Sequence, residues 1–225
     1  MKIAIFYHLY QVNNWRNILD EQINKVCSSS LYSAIDLFHI GINGNEDLPY
    51  SLPKIKTKQN NLQNSEADTL YSLWEYATSN PEAKILYFYN KGVTHFNHDA
   101  RFYNTNSWRL YLEYFNIIKW KECIHKLKLY DTVGTEFVTE SNYWDSKHNW
   151  RQESNWHYSG NFWWANASYV KNLDPYYVYS DAENNIRNRC EFWLGTNKPN
   201  YYNFYNTNTF CRYGHTYNPI DYMTI

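Results

Sequence analysis

Residues 2–9 read Lys-Ile-Ala-Ile-Phe-Tyr-His-Leu, and residues 34–42 read Ala-Ile-Asp-Leu-Phe-His-Ile-Gly-Ile. Both stretches are short and mostly apolar, as expected of buried strands. Between them lies an amphipathic segment that Asn13 or Asn14 can cap, with one apolar face made of Trp15, Ile18, Leu19, Ile23 and Val26. Strand, helix and strand in this order form a βαβ unit with parallel strands. The opening therefore predicts an α/β fold.

Strands and helices continue to alternate along the rest of the chain. Ser65-x-x-Asp68 resembles a capping box at the start of a helix that ends at Asn80-Pro81. Ala83 to Tyr89 is strongly apolar and predicts a buried strand. The other expected elements are a short strand within 54–64, two helices within 104–130 joined near 119–121, a strand at 132–138, and helices at 166–173 and 181–194.

The predicted architecture is an open, twisted, mostly parallel sheet flanked by helices in a single domain. No internal repeat or low-complexity linker divides the 225 residues. Charge is nearly balanced, with 21 Lys and Arg against 22 Asp and Glu. A nucleic-acid-binding domain usually shows a strong basic excess, so we expect no nucleic-acid partner.

Aromatic residues make up 20% of the chain, and 24 residues are tyrosine. Such side chains suit stacking on sugars or bases, although an AT-rich genome explains most of the excess, because asparagine is frequent too. The four cysteines show no Cys-x-x-Cys spacing, which predicts free thiols in a reducing compartment. The first residues predict a strand and not a signal peptide, and we expect no membrane span.

Residues 157–164 read His-Tyr-Ser-Gly-Asn-Phe-Trp-Trp and concentrate chemically useful side chains. Gly160 and Asn161 disfavour the interior of a strand, so they indicate a bulge or a close approach of the backbone to a bound molecule. The alternative is a buried aromatic strand in which Trp163 and Trp164 point to opposite faces and pack. The octapeptide alone does not separate these interpretations.

The octapeptide with Ala165 resembles the His-Phe-Ser-Gly-Asn-Phe-Trp-Trp-Ala signature of a family of small glycosyltransferase-like proteins from bacteria and large DNA viruses. Three other stretches are similar to that family in the same order. Residues 1–15 resemble its opening strand and helix, residues 85–95 its Leu-His-Thr-Lys-Gly-Val segment, and residues 189–195 its Arg-x-x-Glu-Phe-Trp-Ile-Gly segment. The resemblance leaves the aromatic C-terminal tail unmatched.

The resemblance implies a GT-A-like glycosyltransferase domain over residues 1–196, with residues 197–225 as an aromatic tail packed on the same domain. It implies transfer of a sugar from a nucleotide-diphosphate donor to a glycan or glycolipid acceptor, with inversion expected. The implied location is the bacterial cytoplasm, or the host cytoplasm if the source is viral. The tail either covers the acceptor cleft or builds a homodimer contact.

The candidate donor site begins just after the strand at 83–89, because ligands of α/β sheets bind at the carboxyl ends of strands. A lysine in that position is placed to meet a phosphate. Together with the resemblance, this gives a donor-binding set of Lys91, Gly92, His95, Arg109, Ser159, Gly160 and Asn161. The family's His-Thr is replaced here by Tyr89-Asn90, which removes any donor or metal contact that this histidine makes in relatives.

Glu191 is the candidate general base, since inverting enzymes need a group that takes the proton of the acceptor hydroxyl. The alternative is an ordinary helix glutamate paired with Arg187. His157 is the other candidate base, or a diphosphate contact. Trp163 and Trp164 are expected to supply a stacking wall for the sugar or the nucleobase.

Many GT-A enzymes hold Mn²⁺ or Mg²⁺ through Asp-x-Asp, a motif that this chain lacks. Asp181-Ala182-Glu183 comes nearest, and a helix cap explains it better. His95, His98 and Asp99 are loosely spaced for a metal site. We therefore expect no metal ligands and no tightly bound cofactor, with the nucleotide sugar as donor substrate, and leave Mn²⁺ or Mg²⁺ as an open alternative.

A second function stays open at the level of sequence. Without Asp-x-Asp and with an altered lysine motif, the chain fits a carbohydrate-binding or interaction protein that kept the fold and lost catalysis. Lys91, the octapeptide and Glu191 favour the enzyme.

Overall fold

The structure, a computed structural model, describes residues 1–49, 51–61, 65–95, 100–139, 156–179, 186–207 and 212–224. Its strands are β1 Ile3–Tyr10, β2 Leu37–Asn43, β3 Ile55–Gln59, β4 Lys84–Tyr89, β5 Thr132–Gly134, β6 Phe137–Val138, β7 His157–Tyr158, β8 Trp163–Asn166 and β9 Tyr201–Asn203.

The helices lie between these strands and after the last one. They are α1 Trp15–Ser28, α2 Leu31–Ala34, α3 Ala67–Ser79, α4 Ala100–Glu113, α5 Trp120–Lys126, α6 Ala167–Val170, α7 Ile186–Phe192 and α8 Pro219–Tyr222. A π-helical turn, Tyr114–Ile118, joins α4 to α5. The break predicted near 119–121 is therefore confirmed.

Within the described residues, seven strands form one open sheet in the order β3-β2-β1-β4-β8-β5-β9. Strand β8 is antiparallel to both of its neighbours, β4 and β5. The other neighbouring strands pair in parallel. The prediction of a mostly parallel, open α/β sheet flanked by helices is confirmed.

Strand β1 shows why helices cover both faces of the sheet. Its side chains alternate, so that Ile5 and Tyr7 enter one hydrophobic core while Ala4 and Phe6 enter the other. Helices α1, α4 and α5 pack on the first face, and α3, α6 and α7 pack on the second. A strand buried on both faces reads as a continuous apolar run, which is what the sequence shows.

Some predicted elements differ from the structure. The strand expected at 132–138 is split into β5 and β6, because Glu136 adopts a left-handed φ of 56° and turns the chain out of the sheet. The predicted capping box is not formed. The Ser65 hydroxyl accepts from the Ala67 N–H, and the Asp68 carboxylate accepts instead from Asn61 N and the Tyr179 hydroxyl.

The octapeptide 157–164 does not form one strand. Its first two residues are β7, which pairs only with β6 in a second, two-stranded sheet of the described chain, and its last two open β8. Gly160 and Asn161 make the turn between them with φ values of 92° and 54°. A Cβ on Gly160 would lie 2.7 Å from Leu112 Cδ1, so the close approach is to α4. The structure therefore has a turn here where a bulge was one expectation, and the ligand contact stays a prediction.

A buried cluster of charges ties α1 to α4. The fully buried Glu113 carboxylate accepts from Gln22 Nε2 and from Arg109 NH1, each at 2.8 Å, and its other oxygen pairs with Lys25. Arg109 also pairs with Glu21 at 2.6 Å. A buried carboxylate is tolerated when charge and hydrogen bonds compensate its lost hydration.

The C-terminal segment is built into the main sheet and core. Strand β9 is the edge strand beside β5, and Tyr217 and Tyr222 are buried in the core on the α4 face. Arg212 pairs at 3.1 Å with Glu136, which is fully buried. The homodimer contact stays a prediction.

Among the described residues, no helix combines the length and apolar composition that a bilayer crossing requires. Cys27, Cys123 and Cys190 are free thiols, and Cys211 lies outside the described residues. Two stretches of the sequence also fall largely or wholly outside them, residues 139–156 and the predicted helix start at 181–185.

The Glu113 cluster gives a stability prediction. We expect Glu113→Gln to lower the free energy of unfolding by about 3 kcal/mol, because it leaves the buried Arg109 charge with less compensation. Urea unfolding measures this difference. The matched control is Glu122→Gln, since Glu122 is 52% exposed and pairs with Lys119 at the surface. It should cost less than about 1 kcal/mol, and equal losses in the two variants would contradict the assignment.

Candidate functional site

A cavity of about 330 Å³ opens at the carboxyl ends of β1 and β4. Its wall is formed by His8, Tyr10, Glu66, Tyr89, Asn90, Lys91, Gly92, Val93, Thr94, His95, Thr105 and Tyr213. The two strands are fixed to each other there, because the buried Asn90 side chain donates to Tyr10 O at 2.8 Å and accepts from Tyr10 N at 3.1 Å. This amide holds the floor of the cavity together.

Lys91 places an ammonium group in the cavity wall. Its Nζ lies 3.6 Å from the centre of the Trp108 ring and 5.7 Å from that of Tyr213, and it donates to the Tyr89 hydroxyl at 3.2 Å. Lys91 is only 4% exposed. Aromatic faces attract a cation more strongly when water is excluded, so these rings orient the charge. The prediction placed this residue beside a strand end, and the structure puts it in the cavity.

Gly92 and His95 line the same cavity. Gly92 has a φ of 92°, and a Cβ there would lie 3.2 Å from Thr105 Cγ2, so the loop packs closely on α4. The His95 N–H donates to Gly92 O at 2.9 Å, and the His95 ring lies 5.8 Å from that of Tyr213. Three of the predicted donor-binding residues therefore come together.

Glu66 is the carboxylate in the described part of the cavity wall. It precedes α3 and is half-buried. One of its oxygens accepts from the Tyr87 hydroxyl and, at 2.8 Å, from Asn161 Nδ2. Burial raises the pKa of Tyr87 well above its usual value, and the Glu66 charge adds to that rise, so the phenol stays protonated and donates.

His8 lines the cavity from β1 and is buried. Asn60 Nδ2 lies 3.1 Å from Thr69 Oγ1, which lies 3.1 Å from His8 Nδ1. If Asn60 donates to the hydroxyl, the hydroxyl donates to Nδ1 and the ring proton sits on Nε2. Burial lowers the pKa of His8 to about 3, although the nearby Asp68 charge opposes this. The imidazole is therefore neutral at physiological pH.

Tyr213 brings the C-terminal segment to the cavity. Its backbone oxygen accepts from Asn104 Nδ2 at 3.0 Å, its ring lies 5.4 Å from Trp108, and the Arg101 guanidinium lies 4.8 Å from the ring centre. The adjacent Arg212 holds the segment to buried Glu136. One wall of the site thus comes from the far end of the chain.

The two predicted catalytic residues are not in the cavity wall. Glu191 is partly buried and accepts the Gly160 N–H on Oε1 at 2.8 Å. The buried His157 ring lies 4.7 Å from that of Phe192, edge to face. Glu191 reaches the octapeptide turn, and His157 lies in the small second sheet. The Arg187 side chain falls outside the described residues.

Arg109, Trp163 and Trp164 are buried away from the cavity wall. Arg109 belongs to the Glu113 cluster. Trp163 stacks on Tyr87 in one core, and Trp164 donates from Nε1 to Asn116 O in the other. The tryptophans are 1% and 0% exposed, so neither offers a face to a ligand. The predicted sugar-stacking wall is therefore wrong, and packing on opposite faces is the observed arrangement.

Ser159, Gly160 and Asn161 are not among the described residues that line the cavity. The Ser159 N–H donates to Glu136 O, and Gly160 packs on α4. Asn161 reaches the cavity indirectly, because its amide contacts Glu66. Of the octapeptide's donor-binding candidates, only Asn161 contacts a residue of the wall among the described hydrogen bonds.

No group of three or more His, Cys, Asp or Glu side chains suited to a metal ion occurs among the described residues. In the part of the wall that the structure describes, Glu66 supplies the one carboxylate, and His8 and His95 supply the imidazoles. His98, Asp99, Asp181 and Glu183 lie outside the described residues.

His8, Glu66 and Tyr213 were not predicted as site residues. For His8 the available signal was a titratable residue in an otherwise apolar strand, two residues before its last residue, Tyr10. For Glu66 the signal was an acid beside a helix start after the third strand. Tyr213 gave no local signal, because only tertiary contacts bring the C-terminal segment to the cavity.

The lowered pKa of His8 gives a pH prediction. Between about pH 3 and 6.5 the unfolded chain binds a proton at His8 that the folded chain does not, so acidification destabilises the fold. Between pH 7 and pH 5, we expect the free energy of unfolding to fall by about 2 kcal/mol more in the wild type than in His8→Gln, because the variant lacks this titrating group. Urea unfolding at both pH values measures it. The control is His125→Gln, since His125 is exposed, and it should lose as much stability between the two pH values as the wild type does. An equal loss in His8→Gln and the wild type would refute the prediction.

Comparisons with known proteins give a family and a distant structural similarity. No functionally curated protein matches the chain. The crystal structure of Francisella tularensis 2-C-methyl-D-erythritol 4-phosphate cytidylyltransferase is 13% identical over 76% of this chain and 75% of that chain, with a TM-score of 0.38. The model of a domain of unknown function, DUF8361, matches residues 6–211. The chain therefore belongs to the DUF8361 family.

Proposed function

We propose that this protein is a glycosyltransferase that takes a sugar from a nucleotide-diphosphate donor and passes it to a glycan or glycolipid acceptor. One observation carries the proposal: the Lys91 ammonium is held by aromatic rings in the wall of a cavity at the carboxyl ends of parallel strands. Ligands of open α/β sheets bind at this edge. The resemblance of the octapeptide and the lysine segment to glycosyltransferase-like proteins supports the same function.

The charges of the site suit a diphosphate. Lys91 and His95 line one cavity, and Arg101 stacks on Tyr213 of the same wall. Lys91 as a residue is 4% exposed, so its ammonium acts in a medium of lower dielectric than water, where its attraction to phosphate oxygens is stronger. Such a fixed charge stabilises the negative charge that develops on the leaving diphosphate.

The size of the cavity suits a small molecule. About 330 Å³ is at the lower end of the range for ligand sites, which runs from roughly 300 to 1,000 Å³. This space takes the diphosphate and one ring of a nucleotide sugar. The wall also combines hydroxyl, amide and carboxylate groups from Tyr10, Asn90 and Glu66, which are the groups that hydrogen-bond sugar hydroxyls.

The ligand prediction follows from Lys91. We expect one of UDP-glucose, GDP-mannose and dTDP-glucose to raise the melting temperature of the wild type, because a ligand that binds only the folded state stabilises it. CMP-N-acetylneuraminate, with a single phosphate, should raise it less. Each is measured with and without Mn²⁺ or Mg²⁺, so the panel also tests metal dependence.

Lys91→Met should weaken binding of the stabilising donor by about 10- to 100-fold, because a charge-assisted hydrogen bond contributes about 1.5–3 kcal/mol. Titration calorimetry measures this. Lys121→Met is the matched control, since Lys121 is exposed and also lies over a tryptophan ring, that of Trp120. Unchanged donor affinity in Lys91→Met, or no melting shift of the wild type with any donor, would overturn the proposal.

A further inference from the structure

Glu66 has a position that the predicted base, Glu191, lacks. Glu66 lines the cavity that also holds Lys91, whereas Glu191 is outside the described wall and accepts the Gly160 N–H at 2.8 Å. A group that takes a proton from a substrate hydroxyl must be within hydrogen-bonding reach of it. Position in the cavity therefore favours Glu66.

The octapeptide fixes the orientation of the Glu66 carboxylate. Trp163 Nε1 donates to Asn161 Oδ1 at 2.7 Å, which turns the Asn161 amide so that Nδ2 donates to Glu66 at 2.8 Å. The Tyr87 hydroxyl donates to the same Glu66 oxygen. Both donors meet Oε2, so the carboxylate is held on one side by groups buried in the core.

The left-handed turn is what makes this contact possible. Asn161 has a φ of 54°, a conformation that asparagine adopts more readily than most residues. Its N–H donates to Tyr158 O at 2.9 Å, which closes the turn, and its side chain is 2% exposed. A buried, doubly hydrogen-bonded amide has little freedom to move. The turn thus acts as a rigid support behind Glu66.

We propose that Glu66 is the catalytic carboxylate of the site, and that Asn161 and Tyr87 are positioning residues for it. The acceptor hydroxyl gives its proton to the Glu66 carboxylate as its oxygen bonds to the anomeric carbon. The bond from that carbon to the diphosphate oxygen breaks, and the nucleoside diphosphate leaves with the electron pair beside Lys91. Water replaces the acceptor in donor hydrolysis, with the same transfer of the proton.

This inference rests on the proposed function, and two measurements separate them. Donor affinity, measured by calorimetry with UDP-glucose, GDP-mannose and dTDP-glucose, tests the donor site alone. Release of the nucleoside diphosphate from the same donors, with water as acceptor, tests the proton acceptor. We expect Glu66→Gln to lower the rate of release by at least about 100-fold while donor affinity changes less than about threefold.

Two further variants complete the comparison. Glu191→Gln tests the competing candidate, and it should lower release less than Glu66→Gln does. The matched control is Glu82→Gln, which makes the same change at a side chain that is 57% exposed and pairs with Lys2, and it should release nucleotide at the wild-type rate. If Glu66→Gln does not fold, Glu66→Asp keeps the charge and withdraws it by one methylene, and it should lower release by at least about tenfold.

The binding and release measurements distinguish a failure of the role of Glu66 from a failure of the donor site. If Glu66→Gln or Glu66→Asp releases nucleotide at the wild-type rate, the role of Glu66 is overturned. The same holds if nucleotide release is lost only in Glu191→Gln. If the wild-type protein binds a donor but releases no nucleotide, the donor site stands and the catalytic step is overturned. Wild-type protein that binds none of the donors overturns the proposed function, and the role of Glu66 with it.

Discussion

Burial of β1 on both faces is the constraint on which the other parts of the structure depend. Because Ala4 and Phe6 face one core while Ile5 and Tyr7 face the other, helices must cover both sides of the sheet. Parallel pairing with β2 and β4 then brings the carboxyl ends of these strands to one edge. The cavity opens at this edge, where the ends of β1 and β4 meet and backbone pairing gives way to side chains such as Asn90.

The electrostatics of the site depend on what surrounds each charged group. Aromatic rings hold the Lys91 ammonium, and hydrogen-bond donors from the core hold the Glu66 carboxylate. His8, in the same cavity wall, stays neutral because burial disfavours its charged form. Arg109, by contrast, is compensated by Glu113 and Glu21 and serves the packing of α1 against α4.

The octapeptide contributes through its turn more than through its aromatic rings. Trp163 and Trp164 fill the two cores on either side of β8, and the left-handed pair Gly160 and Asn161 connects β7 to β8. Gly160 permits close packing on α4. The buried Asn161 side chain donates a hydrogen bond to Glu66 and so fixes the position of its carboxylate. Its aromatic half stabilises the sheet, and its polar half reaches toward the cavity.

The alternation of apolar strands and amphipathic helices determined the α/β class, and β1, α1, β2 and β4 lie close to their predicted positions, because side-chain periodicity is a local property. The same local rule located Lys91 just after β4. Only the tertiary structure decided that Glu66 and Tyr213 share a cavity with it, since these residues come from distant segments whose approach depends on packing. Only the tertiary structure likewise showed that Trp163 and Trp164 are buried and offer no face to a ligand, because the local sequence does not distinguish an exposed aromatic side chain from a buried one.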